Sequence, residues 1–252
     1  MRECLEREIE RIVVEAMEGL NRPDLYRRPL VAFSSAADAR YTELKKIVGE
    51  WHLNPGELLP EAQSVVSYFV PFARRVVAEP RTAKDGSPLW GEAYVVINAH
   101  FERINAAVSA YLNGLGYVAL PIRPTHTYDP KELKSMWSHR SAAAIAGLGA
   151  FGANRILITE KGSGGRFCTL LTSAPLSASP SPAPNRCLYV KNGSCGLCFN
   201  ICPVKALAPN AFEKFACQDE LNKNDARQRT ATGYRADTCG KCISVCPLAY
   251  ID

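Results

Sequence analysis

Cys195-Gly-Leu-Cys198-Phe-Asn-Ile-Cys202-Pro203 is repeated as Cys239-Gly-Lys-Cys242-Ile-Ser-Val-Cys246-Pro247. Both copies read C-G-x-C-x-x-x-C-P with identical spacing. A lone cysteine precedes each copy, Cys187 before the first and Cys217 before the second. Eight of the ten cysteines therefore lie between residues 187 and 247, and this stretch sets how the rest of the chain is read.

Eight thiolates are what two four-iron clusters require, four converging on each cubane. The short C-x-x-C loops aim side chains at a common centre. The Cys-Pro ending matches the bacterial two-cluster run, in which the fourth cysteine ligates the other cluster. By that crossover one cluster takes Cys187, Cys195, Cys198 and Cys246, and the other takes Cys202, Cys217, Cys239 and Cys242. Asn192 stands where the first ligand usually lies. Cys187 then reaches in from further away, or one cluster is a three-iron species. Structural zinc also uses C-x-x-C pairs, but the tandem Cys-Pro endings and the total of eight favour iron–sulfur. A disulfide scaffold is disfavoured, because the chain is large and shows no secretory signal.

A length of 252 residues allows one large or two modest domains. With 47% hydrophobic and 22% charged residues the composition is that of an ordinary globular protein. The net charge of +5 suits an anionic partner such as RNA, or simply a solvated surface. No apolar run is long enough for a membrane span, and the charged N-terminus lacks the apolar core of a signal peptide. A cytoplasmic location follows as the expectation.

Upstream of the cysteines, Leu5, Ile9, Ile12, Val13, Ala16 and Leu20 mark a helical face over residues 3–20, stopped at Asn21-Arg-Pro23. Leu30–Phe33 reads as a buried strand, 36–48 as helical, and Asn54-Pro-Gly56 as a turn. Ser64–Pro71 reads as a central strand ending at proline. Residues 79–88 read as a polar, mobile loop, Trp90–Leu115 as a long helix and Gly116–Pro121 as another strand. This succession predicts an α/β layer with some parallel pairing. Trp137–Gly147 follows as a helix closed by glycine, then a glycine-rich loop, then a hairpin of 155–159 with 166–172. Gly147-Leu-Gly149-Ala-Phe-Gly152 matches G-x-G-x-x-G literally, but a helix precedes it where a dinucleotide site needs a strand. The glycines let the helix end pack closely on the sheet, or they let the loop approach a large flat cofactor. The proline- and serine-rich segment 177–186 divides an α/β domain, 1–176, from a cluster domain, 187–252.

Ser138-His-Arg-Ser-Ala-Ala-Ala-Ile-Ala-Gly-Leu-Gly-Ala-Phe-Gly-Ala-Asn-Arg-Ile-Leu-Ile-Thr159, followed by Leu170-Leu-Thr-Ser-Ala-Pro-Leu176 and the cysteine sets, resembles the core of epoxyqueuosine reductase and its shorter homologues. Leu58–Val66 resembles the approach to the family's early strand. The resemblance implies a nitroreductase-like α/β sandwich followed by a ferredoxin-like domain with two [4Fe-4S] clusters. It also implies a bound corrinoid (cobalamin), as in the related reductive dehalogenases, with the clusters passing electrons to cobalt for reductive removal of oxygen or halogen. Gly147, Gly149, Gly152 and Asn154 would then lie in the cofactor-proximal loop. The sequence departs from the family pattern at three places. Leu133 and His139 occupy the positions of the family's Asp and Glu, and Ala153 that of its Lys. The helical-repeat domain that grips tRNA is not in the sequence.

Candidate catalytic groups are therefore His139, Tyr128 and Asp129. His139 could donate a proton or a cofactor hydrogen bond, or line an interface. His126, Tyr128 and Asp129 form a polar cluster after a strand end, where α/β proteins place functional groups, or a plain loop. Arg140 could meet a phosphate or amide edge of a cofactor, or make a surface salt bridge. His52 and His100 read as structural, and Cys4 and Cys168 as bystander thiols. The expected partners are an external low-potential electron donor and a small-molecule or nucleoside substrate, tRNA included, with no membrane. The alternative is a protein that relays electrons to a partner without substrate chemistry of its own. A zinc-bound interaction protein is the weakest reading.

Overall fold

The computed structural model describes residues 2–84, 86–124 and 128–252; His126 lies outside them. In chain order, helix α1 (Arg2–Gly19) precedes strand β1 (Leu30–Ser35), helices α2 (Ala39–Ile47) and α3 (Pro55–Leu58), and strand β2 (Ser64–Pro71). Helix α4 (Arg74–Ala78) and the long α5 (Pro88–Gly114) lead to β3 (Ala119–Ile122) and a small ribbon, β4 (Tyr128–Asp129) with β5 (Lys134–Ser135). Then come α6 (His139–Ile145), β6 (Gly149–Phe151), β7 (Leu157–Thr159) and β8 (Gly165–Thr172). The cysteine-rich region holds α7 (Leu188–Asn192), α8 (Leu197–Ile201), β9 (Leu207–Ala208), β10 (Ala211–Phe212), α9 (Lys214–Thr232) and α10 (Lys241–Ser244).

The main sheet has the order β1-β2-β8-β3. Every residue of β2 is buried, because both sheet faces are covered. Val66, Tyr68 and Val70 face α1 and α5 in one core with Ile9, Ile97 and Phe101. Val65 and Phe69 face the other way, toward Trp137 and Ala142 or toward Ala143 and Leu157. Each such side chain contributes roughly 1.5–3 kcal/mol by leaving water. The layers are thus helix, sheet, helix, a mixed α/β architecture.

Several sequence expectations fail. All pairings in this sheet are antiparallel, with no parallel ladder among the described residues. Burial on both faces writes the same continuous apolar run whichever way a neighbour points, so the pattern carries no direction. The hairpin is also different. Strand β7 pairs with β6, Phe151 opposite Leu157, while β8 leaves to join β2 and β3. The Asn21 stop is realised by that residue's left-handed backbone (φ 51°). Asn54-Pro-Gly56 is not a turn but the start of α3, where the Glu57 carboxylate accepts from Asn54 N at 2.7 Å.

The segment read as a mobile loop is tied at several points. The Glu79 carboxylate accepts from the amides of Leu89 (3.3 Å) and Trp90 (3.0 Å), capping α5. Pro80 is buried, and its carbonyl accepts from Lys241 Nζ at 3.2 Å. The C-terminal residues join the same core: Ile243, Cys246, Ala249 and Tyr250 pack with α1, α5 and the sheet. Gly164 N donates to Ala249 O at 2.9 Å, and a Cβ on Gly164 would stand 2.5 Å from Val77 Cγ2. The segment 177–186 runs along the edge of β1, where Ser179 and Phe33 exchange two hydrogen bonds. The cysteine loops are thereby held against the α/β layer.

Candidate functional site

Short elements place the eight cysteines. Cys187 caps α7, Cys198 lies in α8 and Cys202 caps its end. Cys217 lies near the start of α9, and Cys242 lies in α10. Cys187, Cys195, Cys198 and Cys246 line one cavity, otherwise walled mainly by apolar side chains such as Ile158, Leu188, Leu197 and Leu248. The thiols of Cys198 and Cys246 each sense Cys187 and Cys195. In the second group Cys217 senses Cys239 and Cys202, and Cys242 senses Cys239, Cys217 and Cys202. Cys242 also senses Cys198, so the two groups are neighbours.

Burial, then the crowding of thiols, pushes Cys242 up to about 12 and Cys217 and Cys246 to about 11. Such thiols are protonated at neutral pH, and only a strongly attracting cation makes them ligands. Backbone donors already point at two sulfurs: Ala206 N at Cys202 Sγ (3.2 Å) and Ala153 N at Cys187 Sγ (3.5 Å). Asn192, at the expected ligand position, instead accepts from Ser194 N in a tight turn. Among the described residues no group of three or more His, Cys, Asp or Glu side chains is drawn together around a single metal ion. The first quartet lines a single cavity.

The glycine loop is accounted for by packing. Gly147 has φ 85°, and a Cβ there would stand 2.1 Å from Pro180 O. A Cβ on Gly149 would stand 2.4 Å from Ile158 O, and one on Gly152 2.8 Å from Ile158 Cδ1. The β6–β7 turn then projects toward the cysteines. Its Asn154, buried, donates Nδ2 to Cys242 O at 3.0 Å and accepts from Ile156 N. Ala153 and Asn154 thus reach one member of each quartet.

The other candidates are dispersed. His139 Nδ1 lies 2.8 Å from Thr169 Oγ1 and Nε2 lies 3.1 Å from Arg123 O. A carbonyl only accepts, so Nε2 carries a proton, while Thr169 also accepts from Trp137 Nε1. The ring is oriented between Thr169 and Arg123. Asp129 is exposed and accepts from the amides of Lys131 and Glu132, closing a turn. Tyr128, half-exposed, reaches Gln218 at 3.5 Å and lines an open recess with Asp225, Arg235 and Asp237. Its pKa is raised by burial and then by Asp237 and Asp129. Arg140 stands near Cys242 and Arg166; burial first, then the Arg166 charge, lower its pKa, while Cys242 opposes.

Sequence reading missed Arg166, whose guanidinium lies 4.3 Å from the Tyr94 ring centroid and donates to Asn98. Its signal was present, as the lone charge in the apolar run 166–172. Tyr94 and Asp237 carried no such signal, yet they interact with each other in the same region. Sequence distance hid them, since α5 and the loop after α9 meet only in the fold.

No protein-family model matches the chain, and no curated protein sequence matches it significantly. Solved structures do. Epoxyqueuosine reductase from Bacillus subtilis is 19% identical, with a TM-score of 0.56 over 96% of this chain and 66% of that one. An epoxyqueuosine reductase solved with an epoxyqueuosine-modified tRNA-Tyr stem loop is 20% identical, with the same TM-score and coverage. A catabolic reductive dehalogenase solved with 3-bromo-4-hydroxybenzoic acid is 16% identical, with a TM-score of 0.61 over 88% of this chain and 30% of that one. The chain therefore spans just under two thirds of the reductases and under one third of the dehalogenase. Among the described residues no helix is long and apolar enough to cross a membrane. Across nearly its whole length the chain carries the fold shared by epoxyqueuosine reductase and the reductive dehalogenases.

Proposed function

We propose that this chain is an iron–sulfur oxidoreductase of the epoxyqueuosine reductase type, with two [4Fe-4S] clusters that feed a bound corrinoid. The observation that carries the reading is the cavity lined by Cys187, Cys195, Cys198 and Cys246, with Cys202, Cys217, Cys239 and Cys242 gathered beside it. The shared fold supports it, since one reductive dehalogenase of that fold is described as B12-dependent. When bound, the corrinoid would supply the strongly reducing centre and the clusters the electrons, one at a time.

The chain's own residues have distinct tasks. Gly147, Gly149 and Gly152 let the β6–β7 turn approach the clusters, and Asn154 anchors it. Ala153 N–H and Ala206 N–H stabilise thiolate charge, which raises a cluster's potential. Tyr128, on the open recess, is placed to give a proton to a substrate; Asp129 shapes its turn and His139 holds β8 to α6 through Thr169. The substrate is a small molecule or a nucleoside, carried by tRNA in the full reading, and electrons come from an external low-potential donor.

Anaerobic purification tests this. The expected product is brown, with about eight irons per chain. It should retain added cobalamin with a shifted visible spectrum. A colourless, zinc-containing protein would refute the cluster reading. Full iron without cobalamin retention would replace the enzyme reading with electron relay to a partner protein.

A further inference from the structure

The first cysteine quartet lies just beneath an exposed apolar face. Leu188 and Leu197 line its cavity with Cys187, Cys195 and Cys198, yet they are 40% and 43% exposed. Val190, in the same short helix as Leu188, is 52% exposed, and Phe151 is 38% exposed. Three contacts gather the segments that carry them. Ala153 N donates to Cys187 Sγ at 3.5 Å, and Asn185 Nδ2 donates to Phe151 O at 3.0 Å. The Tyr189 and Phe199 rings meet edge to face, their centroids 5.1 Å apart. The β6–β7 turn, α7 and α8 are thereby drawn together around Cys187.

The charges on these segments have one sign. Arg155 in the β6–β7 turn, Arg186 beside Cys187 and Lys191 in α7 are all exposed. Among the described residues none of the three makes an ion pair. From Phe151 to Phe212 the sequence holds one acidic residue, Glu160, at the end of the β6–β7 hairpin away from its turn. The second quartet has different surroundings. Gln218, next to Cys217, and Asp237, two residues before Cys239, line the open recess with Tyr128. An apolar centre with a charged rim is the anatomy of a protein–protein contact, and small contacts of this kind suit transient electron-transfer encounters. A nucleic-acid backbone would instead call for cations across the centre, where Leu188, Val190 and Leu197 stand.

We propose that this face docks the electron donor, a small acidic one-electron carrier protein of low potential. The carrier sits over Leu188, Val190 and Leu197 and is steered by Arg155, Arg186 and Lys191. The proposal rests on the cluster reading above and gives the cluster pair an entry side. One electron leaves the reduced carrier and one enters the first cluster; no bond forms or breaks, and no proton is required. Transfer between clusters then delivers the electron beside the recess. Attraction between a basic rim and an acidic carrier speeds association and fades with salt.

The iron-loaded full chain is titrated calorimetrically, without oxygen, with an acidic flavodoxin and with an acidic ferredoxin. Saturable one-to-one binding of at least one carrier is expected, weakened about tenfold or more between about 0.05 M and about 0.5 M salt. Arg186→Glu, Lys191→Glu and Val190→Asp should each weaken it about fivefold or more and slow oxidation of the reduced carrier after rapid mixing. Arg103→Glu, on α5 across the sheet, should change neither. Unchanged iron content, melting temperature and paramagnetic signal after reduction with dithionite separate lost docking from lost clusters. No saturable binding of either carrier, variants that bind as the wild type does, or an equal loss in Arg103→Glu overturns the proposal. So does binding of a tRNA stem loop, or dimerisation of the chain, that Lys191→Glu and Val190→Asp abolish while carrier binding is unaltered. A chain without iron fails the cluster reading, whereas an iron-loaded chain that binds no carrier fails the docking site alone.

Discussion

The Asn154 carboxamide donates to the backbone carbonyl of Cys242 at 3.0 Å, joining residues 88 positions apart. The same side chain accepts from Ile156 N, so it closes its own turn while holding α10. Replacing it with alanine leaves a buried carbonyl unpaired, at a cost of roughly 1–3 kcal/mol. Asn154→Ala is expected to lower the melting temperature and to speed the loss of visible absorption from the iron-loaded chain. If both are unchanged, the turn does not anchor the cysteine region.

The glycine loop makes a contrasting prediction. At Gly149 a methyl group would sit 2.4 Å from the Ile158 carbonyl oxygen and 2.8 Å from its carbon. Strand backbone cannot swing aside, so Gly149→Ala is expected to destabilise by roughly 1–3 kcal/mol. Chemical denaturation of the iron-free and iron-loaded forms should show the same deficit in both. A deficit seen only with cobalamin present would instead assign the glycine to cofactor contact.

The proximity of Cys239, Cys202, Cys217 and Cys242 leads to a partition of iron. Cys239→Ser is expected to remove about four of eight irons, leaving the cluster held by Cys187, Cys195, Cys198 and Cys246. Cys187→Ser should do the reverse. Iron and sulfide analysis with electron paramagnetic resonance of the reduced protein reads both. Full iron content in either variant contradicts the ligand sets.

Asp38 gives the stability a pH dependence. It caps α2 through Arg40 N and pairs with the Arg40 guanidinium, which also reaches Ile145 O and Ser181. Hydrogen bonding from Arg40 holds the carboxyl below its usual value of 3.8. The folded carboxyl therefore resists protonation more than the unfolded one does. Its stabilisation is full above the usual value and fades as pH falls through the lower folded one. Asp38→Asn should lower the melting temperature at neutral pH, with the difference from wild type shrinking in acid. A difference that persists undiminished through the acid range would assign the effect to something other than this ion pair.

Much of the fold was legible in the residues. The periodic apolar faces of α1 and α5 and the buried run of β2 are local signals, and each element formed where its pattern lay. What failed was pairing. A run such as Ser64–Pro71 records that both faces are covered, not which strand lies beside it or in which direction. The partner of 155–159 was lost the same way, because β6 is only three residues long and too short to signal itself. Within the site, the doubled cysteine spacing was legible in the residues, while the cavity lined by Cys187, Cys195, Cys198 and Cys246 is a feature of the fold. Arg166, Tyr94 and Asp237 were invisible as a group, since three separate elements bring them together.

The sequence by itself determined the doubled C-G-x-C-x-x-x-C-P, its eight thiols and the helical and extended segments before it, since these rest on spacing and period along the chain. Only the tertiary structure decided that the sheet is antiparallel, that the β6–β7 turn reaches the cysteines through Ala153 and Asn154, and that Arg166 stacks on Tyr94. Those relations depend on contacts between residues far apart in sequence, where desolvation and steric exclusion, not local preference, set the outcome.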